Sequence, residues 1–391
     1  MWLLRFGLYK LERPKENVND WVFIIDHKIQ FGVEKVFFVI GVRLSALANR
    51  TKILSYEDVE PIEILPVKKS TGKIVCKQLE DIVERTGIPR AIVADKGPDL
   101  QCGLSMFNEK HKDVSIIYDI VHMMSSLLKN ELDKNEDWNN FIKEVNNSKP
   151  RLKQTEHSHL APPALRSKCR FMNLEKLLKW ANVSLQHVDT ITQENKKDSE
   201  YPKSKNGTQE TIIQKLGWII NYRNNISLWS NLYIITQLTI SIVKKEGYGN
   251  DTFNKVEETI APYAKCTITI KLVSNILDLV EKESKKARPG EVLVGSSEVI
   301  ESIFGKLKYI ENNQSRSGIT SLILTLAACV SSTSKETIKT AMESVKTKDL
   351  LKWIKSNIEK TVQAKKKDLY KSYSDNIEKE LIQSETAVAI A

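Results

Sequence analysis

The chain has 391 residues, 41% of them hydrophobic and 28% charged, enough apolar material for a sizeable core and more than one domain. Its net charge of +10 and sequence pI of about 9.1 suit a polyanionic partner and say nothing about fold. Five cysteines with no C-x-x-C pair exclude a zinc ribbon and suit a reducing cytoplasm; the N-terminus lacks a signal-peptide core, and apolar runs such as KVFFVIGV fall short of a membrane span. A soluble intracellular protein is expected.

In chain order, the first elements are strands. WVFIID (Trp21–Asp26) is a short aromatic and β-branched run, Lys28–Glu34 with Gly32 reads as a turn, and KVFFVIGVRL (Lys35–Leu44) is a second strand. Val59–Val67 alternates weakly and holds two prolines, which places it at a sheet edge. Ser70-Thr71-Gly72 opens a helix to about Thr86, with Val75, Leu79, Ile82 and Val83 on one face and Gly87 as its stop. AIVAD (Ala91–Asp95) is apolar up to its last residue and reads as a strand buried on both faces. A short helix follows Asp99, and SIIYDIVH (Ser115–His122) is a fifth strand running into a helix. Three antiparallel strands followed by two parallel ones through right-handed crossovers is the connectivity of the ribonuclease H-like α/β fold.

From about Leu127 to Ala287 the spacing is almost wholly helical, and the tail from Gly318 is helical with basic runs such as Lys365–Lys367. The expected organisation is therefore an N-terminal linker (1–20), the first part of an α/β core (21–130), an α-helical insertion (131–290), a last core helix (291–315) and a helical C-terminal region (316–391).

Asp26 and Asp95 each end an apolar run. In this connectivity they fall on neighbouring strands at the edge of the sheet where ligands bind in open α/β folds. Like charges so placed repel unless a cation lies between them, and hard carboxylate oxygens without thiols point to Mg²⁺ or Mn²⁺. A third acid is expected from Gly295–Ile310. There Ile300, Ile303, Phe304 and Leu307 form an apolar stripe, and Glu298, Glu301, Gly305 and Lys308 share another face. Glu298 competes with Glu301 for the role. Gly305 leaves room for a ligand, and Lys308 can neutralise a phosphate.

The blocks DWVFIIDHKIQ, VFFVIGVRL, PRAIVADKGPDL, YDIVH and SSEVIESIFGKLK resemble the DDE transposases of bacterial insertion sequences. The match covers roughly Asp20 to Tyr309, and the helical insertion and the Glu301…Lys308 spacing are similar to the cut-and-paste branch. The resemblance implies a metal-dependent enzyme that cleaves and joins double-stranded DNA at element ends and target. Asp26, Asp95 and Glu301 would hold two Mg²⁺ or Mn²⁺ ions, with Asp26 bridging them. It further implies a homodimer on DNA in the nucleoid, and no membrane partner. Two departures accompany it. Only about 20 residues precede the first strand where the family carries an end-reading domain, so the chain is expected to be truncated. Ser297 stands where an arginine is expected. A catalytically inactive DNA-binding remnant and a structure-selective nuclease are the alternatives.

Other residues keep two readings each. Asp99 is a helix cap or a ligand; Asp119 and His122, in D-x-x-H, are a cap or outer supports of the site. His157 and His159 are a superficial metal pair. Lys149–Arg170 holds six lysines and arginines against one glutamate, and Arg166, Lys168 and Arg170 are candidates for the DNA backbone or an ordinary basic loop. Trp180, Trp218 and Trp229 at helical spacing are core or base-stacking residues.

Overall fold

The computed structural model describes residues 1–31, 34–47, 53–67, 69–164, 174–198, 207–312, 320–358 and 364–374. The chain divides into two compact units, Met1–Asp119 with Val292–Ala391, and Ile120–Glu291.

The first unit opens with α1 (Trp2–Glu12), followed by β1 (Trp21–Phe31), β2 (Glu34–Arg43), the single turn α2 (Leu44–Leu47), β3 (Glu60–Val67), α3 (Gly72–Thr86), β4 (Ala91–Ala94), α4 (Pro98–Lys110) and β5 (Ser115–Tyr118). The second unit holds α5 (Ile120–Leu132), α6 (Glu136–Lys153), α7 (Leu174–Asp198), α8 (Gly207–Leu216), α9 (Arg223–Glu246), α10 (Thr252–Ile260) and α11 (Thr267–Ser284). The chain then returns to the first unit with α12 (Glu298–Asn312), α13 (Leu324–Ala328), α14 (Lys335–Ser344) and α15 (Thr347–Asn357).

The five strands form one sheet in the order β3-β2-β1-β4-β5, antiparallel for β3-β2-β1 and parallel for β1-β4-β5. This is the ribonuclease H-like mixed sheet expected from the sequence. One detail differs. The segment 28–34, read as a turn, is mostly strand, because β1 pairs with β2 beyond Asp26, as far as Phe31↔Glu34 with a bulge between Ile29 and Phe31. Asp26 therefore lies within β1, at the point where the shorter β4 has stopped.

One face of the sheet is covered by α3 and α4. Trp21, Phe23, Ile25, Phe37 and Val39 point that way and meet Val75, Leu79, Ile82, Leu104 and Phe107. Thr71 caps α3 by accepting from Ile74 N–H at 3.4 Å, and Gly87, at φ 83°, ends it. The two helices touch at Gly103, where a Cβ would stand 2.6 Å from that of Val75.

Residues 1–20, read as a linker, include a structural helix. Phe6, Leu8 and Leu11 of α1 are buried, and Gly7 lies so close to the Leu324 carbonyl of α13 that a Cβ has no room. Arg5 donates to the carbonyls of Val345 and Met342, each at 2.6 Å. Lys10, wholly buried, donates to Val330 O at 2.6 Å and Thr333 Oγ1 at 2.8 Å. The N-terminal helix is thus held to the C-terminal helices by buried polar contacts that the local sequence pattern does not reveal.

The helical unit is built around aromatics. Trp138 and Trp229 meet edge-on with centroids 4.9 Å apart, and Phe141 stacks against both, with Trp218 and Tyr222 at its side. Trp229 is fully buried, while the half-buried Trp180 donates to Leu160 O at 2.8 Å. These contacts favour the core reading of the tryptophans. The helical run Ile212–Glu246 is, by length and composition, long and apolar enough to cross a membrane, which corrects the expectation that every apolar run falls short. Its Ile226, Trp229, Leu232 and Ile235 are buried in this unit, as in the core helix of a large α-domain.

Candidate active site

The geometry of the site starts from strand register. β1 and β4 pair in parallel through Ile24↔Val93 and Ile25↔Ala94, and β4 and β5 through Ala94↔Tyr118. The next residue on each strand is an aspartate: Asp26, Asp95 and Asp119. Three carboxylates thus follow one another across three adjacent strands, at the C-terminal edge of β4 and β5. The apolar runs before Asp26 and Asp95 are fully buried and these two aspartates, half-buried, fall where the covering ends, whereas Asp119 is itself buried.

Asp26 also has a defined face. Its antiparallel partner is Phe38, and directly opposed residues project to the same side of a sheet. The Phe38 ring is buried and lies 5.9 Å from that of Phe304 on α12. The helix carrying the third candidate acid therefore packs on the face to which Asp26 points. On α12 the expected stripe is seen: Ile300, Ile303 and Leu307 are buried and Phe304 half-buried, whereas Glu298, Glu301, Gly305 and Lys308 are exposed. A Cβ added at Gly305 would meet nothing within 4 Å, so no packing demand explains the glycine.

Local hydrogen bonds set the two strand-end aspartates. Asp26 Oδ1 accepts the His27 N–H at 2.6 Å, and Asp95 Oδ1 accepts the Gly97 N–H at 2.9 Å, in the turn that enters α4. Gly97 is the N-cap of α4, and Asp99 lies in the first turn rather than at the cap, contrary to its expected place. Asp99 is ion-paired with Lys35 of β2, and that bond holds its carboxyl below the usual carboxylate range.

His27 lies on the opposite face from Asp26. Its ring is 5.2 Å from Phe37, and its Nε2 is 3.4 Å from Ser70 Oγ. Burial foremost, with Lys35 nearby, pushes the imidazole down to about 4, against the opposing pull of Asp99 and Asp95. At neutral pH it is an uncharged neighbour of the carboxylate row. Sequence reading missed the His27–Ser70–Lys35–Asp99 group, although the period-two alternation back from Phe37 puts Lys35 on that face.

Asp119 is buried and accepts two hydrogen bonds from Ser297, the N–H at 2.5 Å and the hydroxyl at 3.0 Å. Ser297 directly precedes α12, so a buried carboxylate anchors the helix start, where negative charge is favoured. The serine at the position expected for an arginine thus has a structural partner. His122 lies half-buried on α5 of the helical unit. Buried His157 lies 3.4 Å from Glu156, with the His159 ring 6.4 Å away. Arg166, Lys168 and Arg170 lie outside the described residues.

Carboxylate oxygens from Asp26 and Asp95, with a glutamate on the covering helix, are the donor chemistry of a hard divalent cation. Among the described residues, however, no three His, Cys, Asp or Glu side chains converge on a point that could hold a metal ion. Asp26 and Asp95 directly follow the last paired residues of β1 and β4, and α12, which carries Glu301, packs on the face of Asp26.

No family model matches the chain, and no curated protein matches it. Among solved structures, a chain of the Drosophila P element transposase strand transfer complex is similar over 86% of this chain and 85% of its own, at 10% identity and a TM-score of 0.43.

Proposed function

We propose that this protein cleaves and joins DNA strands in transposition, with Asp26, Asp95 and Glu301 as its metal-binding acids. One observation carries the reading. Asp26 and Asp95 are consecutive across a parallel strand pair, and the strand partner of Asp26 packs on the helix bearing Glu301. Adjacent carboxylates repel, so their juxtaposition is not what a ribonuclease H-like sheet needs for stability.

A pair of Mg²⁺ or Mn²⁺ ions held there would supply an activated water or 3′-hydroxyl and charge neutralisation at the leaving oxygen. The protein's own residues do the rest. Asp26 and Asp95 hold their oxygens on a rigid sheet edge, fixed by the His27 and Gly97 amides. Lys308, exposed on the same helix as Glu301, places a positive charge for a phosphate oxygen. Gly305, one turn from Glu301, leaves the helix surface low enough for a phosphate backbone to approach. The substrates in this reading are duplex element ends and duplex target, handled by a homodimer in the nucleoid.

The test is divalent-dependent nicking of duplex DNA carrying the ends that flank the gene, comparing the protein with its Asp26→Ala form. Mg²⁺- or Mn²⁺-dependent cleavage that disappears in the variant is the expected result. The lack of a gathered three-carboxylate group favours a second reading, a DNA-binding protein that no longer cleaves. DNA retention with no cleavage by either form would select it.

A further inference from the structure

We propose that α15 is a docking surface for the phosphate backbone of duplex DNA, through Lys348, Lys352 and Lys355. This deepens the functional reading above and rests on it for the identity of the polyanion.

These three lysines are exposed and recur at i, i+4 and i+7, so they form one stripe about 10 Å long on the helix. Their opposite side is anchored: Leu350 is buried and Trp353 and Ile354 are half-buried, so the stripe faces solvent. None of the three has an acidic partner among the described residues. Asp349, the acid nearest to Lys352 in sequence, accepts instead from the Lys346 N–H at 2.9 Å in the helix cap.

Several lysines on other exposed helices are neutralised. Lys255 pairs with Glu246 at 2.6 Å, Lys271 with Glu131 at 3.2 Å, Lys285 with Glu281 at 2.6 Å and Lys339 with Glu343 at 4.0 Å. Like charges one helical turn apart repel, so an uncompensated stripe works slightly against its own helix. Its complement is an external row of negative charges, and regularly spaced phosphates supply one.

A second feature points the same way. Residues 364–374 form a helix that buries nothing: Lys366, Lys367 and Lys371 are exposed, as are Leu369, Tyr370 and Tyr373. Lys366 Nζ stands 5.8 Å from the Tyr370 ring. A helix this short and wholly exposed is marginal in water by itself, and lysines with phenolic hydroxyls are phosphate-contacting groups.

The experiment is salt-dependent binding of the full chain to duplex DNA, with Lys348→Ala/Lys352→Ala/Lys355→Ala against a control, Lys255→Ala/Lys285→Ala. Alanine is a strong helix former at exposed positions, so neither variant threatens folding. The expected outcome is a log–log salt slope shallower by roughly 0.9 for each lost phosphate contact, about two to three in all, and an unchanged slope for the control. An unchanged slope in the triple variant, with DNA still bound and nicked, overturns this proposal alone. Failure of the unaltered protein to bind duplex DNA overturns it together with the functional reading. Preferential, lysine-dependent binding to vesicles of equal parts phosphatidylserine and phosphatidylcholine overturns it in favour of a membrane surface.

Discussion

Asp119 and Ser297, 178 residues apart in the chain, are joined by two hydrogen bonds inside the sheet-containing unit. Asp119 is the last residue before the helical unit begins, and Ser297 follows shortly after that unit ends at Glu291. The pair fastens α12 to the end of β5 whatever lies between them in sequence. Replacing Asp119 by alanine leaves the buried Ser297 N–H without this acceptor, at a cost of about 1–3 kcal/mol. Ser297→Ala removes only the hydroxyl bond and costs about 1 kcal/mol. Urea unfolding of the two variants checks the ranking. An Asp119→Ala protein as stable as the parent would show that the clasp does not hold the helix.

Gly305 gives a prediction of opposite signs for stability and activity. A Cβ there meets nothing within 4 Å, so Gly305→Ala should stabilise α12 by about 0.5–1 kcal/mol. If a DNA backbone approaches at that point, the same methyl group should weaken nicking. Thermal unfolding and a cleavage assay on one preparation separate the effects. Stabilisation with full cleavage would remove Gly305 from the site.

Gly7 tests whether the N-terminal helix belongs to the core. Its missing side chain lets α1 lie directly against the Leu324 carbonyl, and backbone cannot move aside as a side-chain tip can. Gly7→Ala should therefore destabilise the protein by about 1–3 kcal/mol despite alanine's better helix propensity. A neutral or stabilising effect in a denaturant melt would place α1 outside the cooperative unit.

His27 supplies a pH dependence. Its pKa in the folded protein is lowered to about 4 from 6.5, so the native state keeps the ring neutral. Between those values the unfolded chain binds a proton that the folded chain refuses, and stability falls as pH drops. The contribution is complete above about pH 6.5 and is lost by about pH 4, for at most about 3 kcal/mol. Denaturant midpoints across this window, compared with His27→Gln, check it. An equally steep pH dependence in the variant would assign the effect to other groups.

Much of this architecture is legible in local pattern. The alternation and the apolar runs around Phe23, Phe37 and Ile92 mark the strands, and the stripe of Ile300, Ile303 and Leu307 marks α12, because burial of one face imposes a period of two or of about 3.6 on the chain. The carboxylates Asp26 and Asp95 stand out for the same reason: they interrupt runs that the sheet would otherwise bury. Local pattern therefore sets the kind of elements, their order and the acids at their ends. Tertiary structure alone decided the rest. It set how far β1 runs past Asp26, that α1 docks through Gly7 and Lys10, and that Asp119 bonds to Ser297. It also decided that Lys35 finds Asp99. Each of these depends on contacts between residues distant in the chain, whose geometry is set by register and packing and leaves no periodic trace in the local sequence.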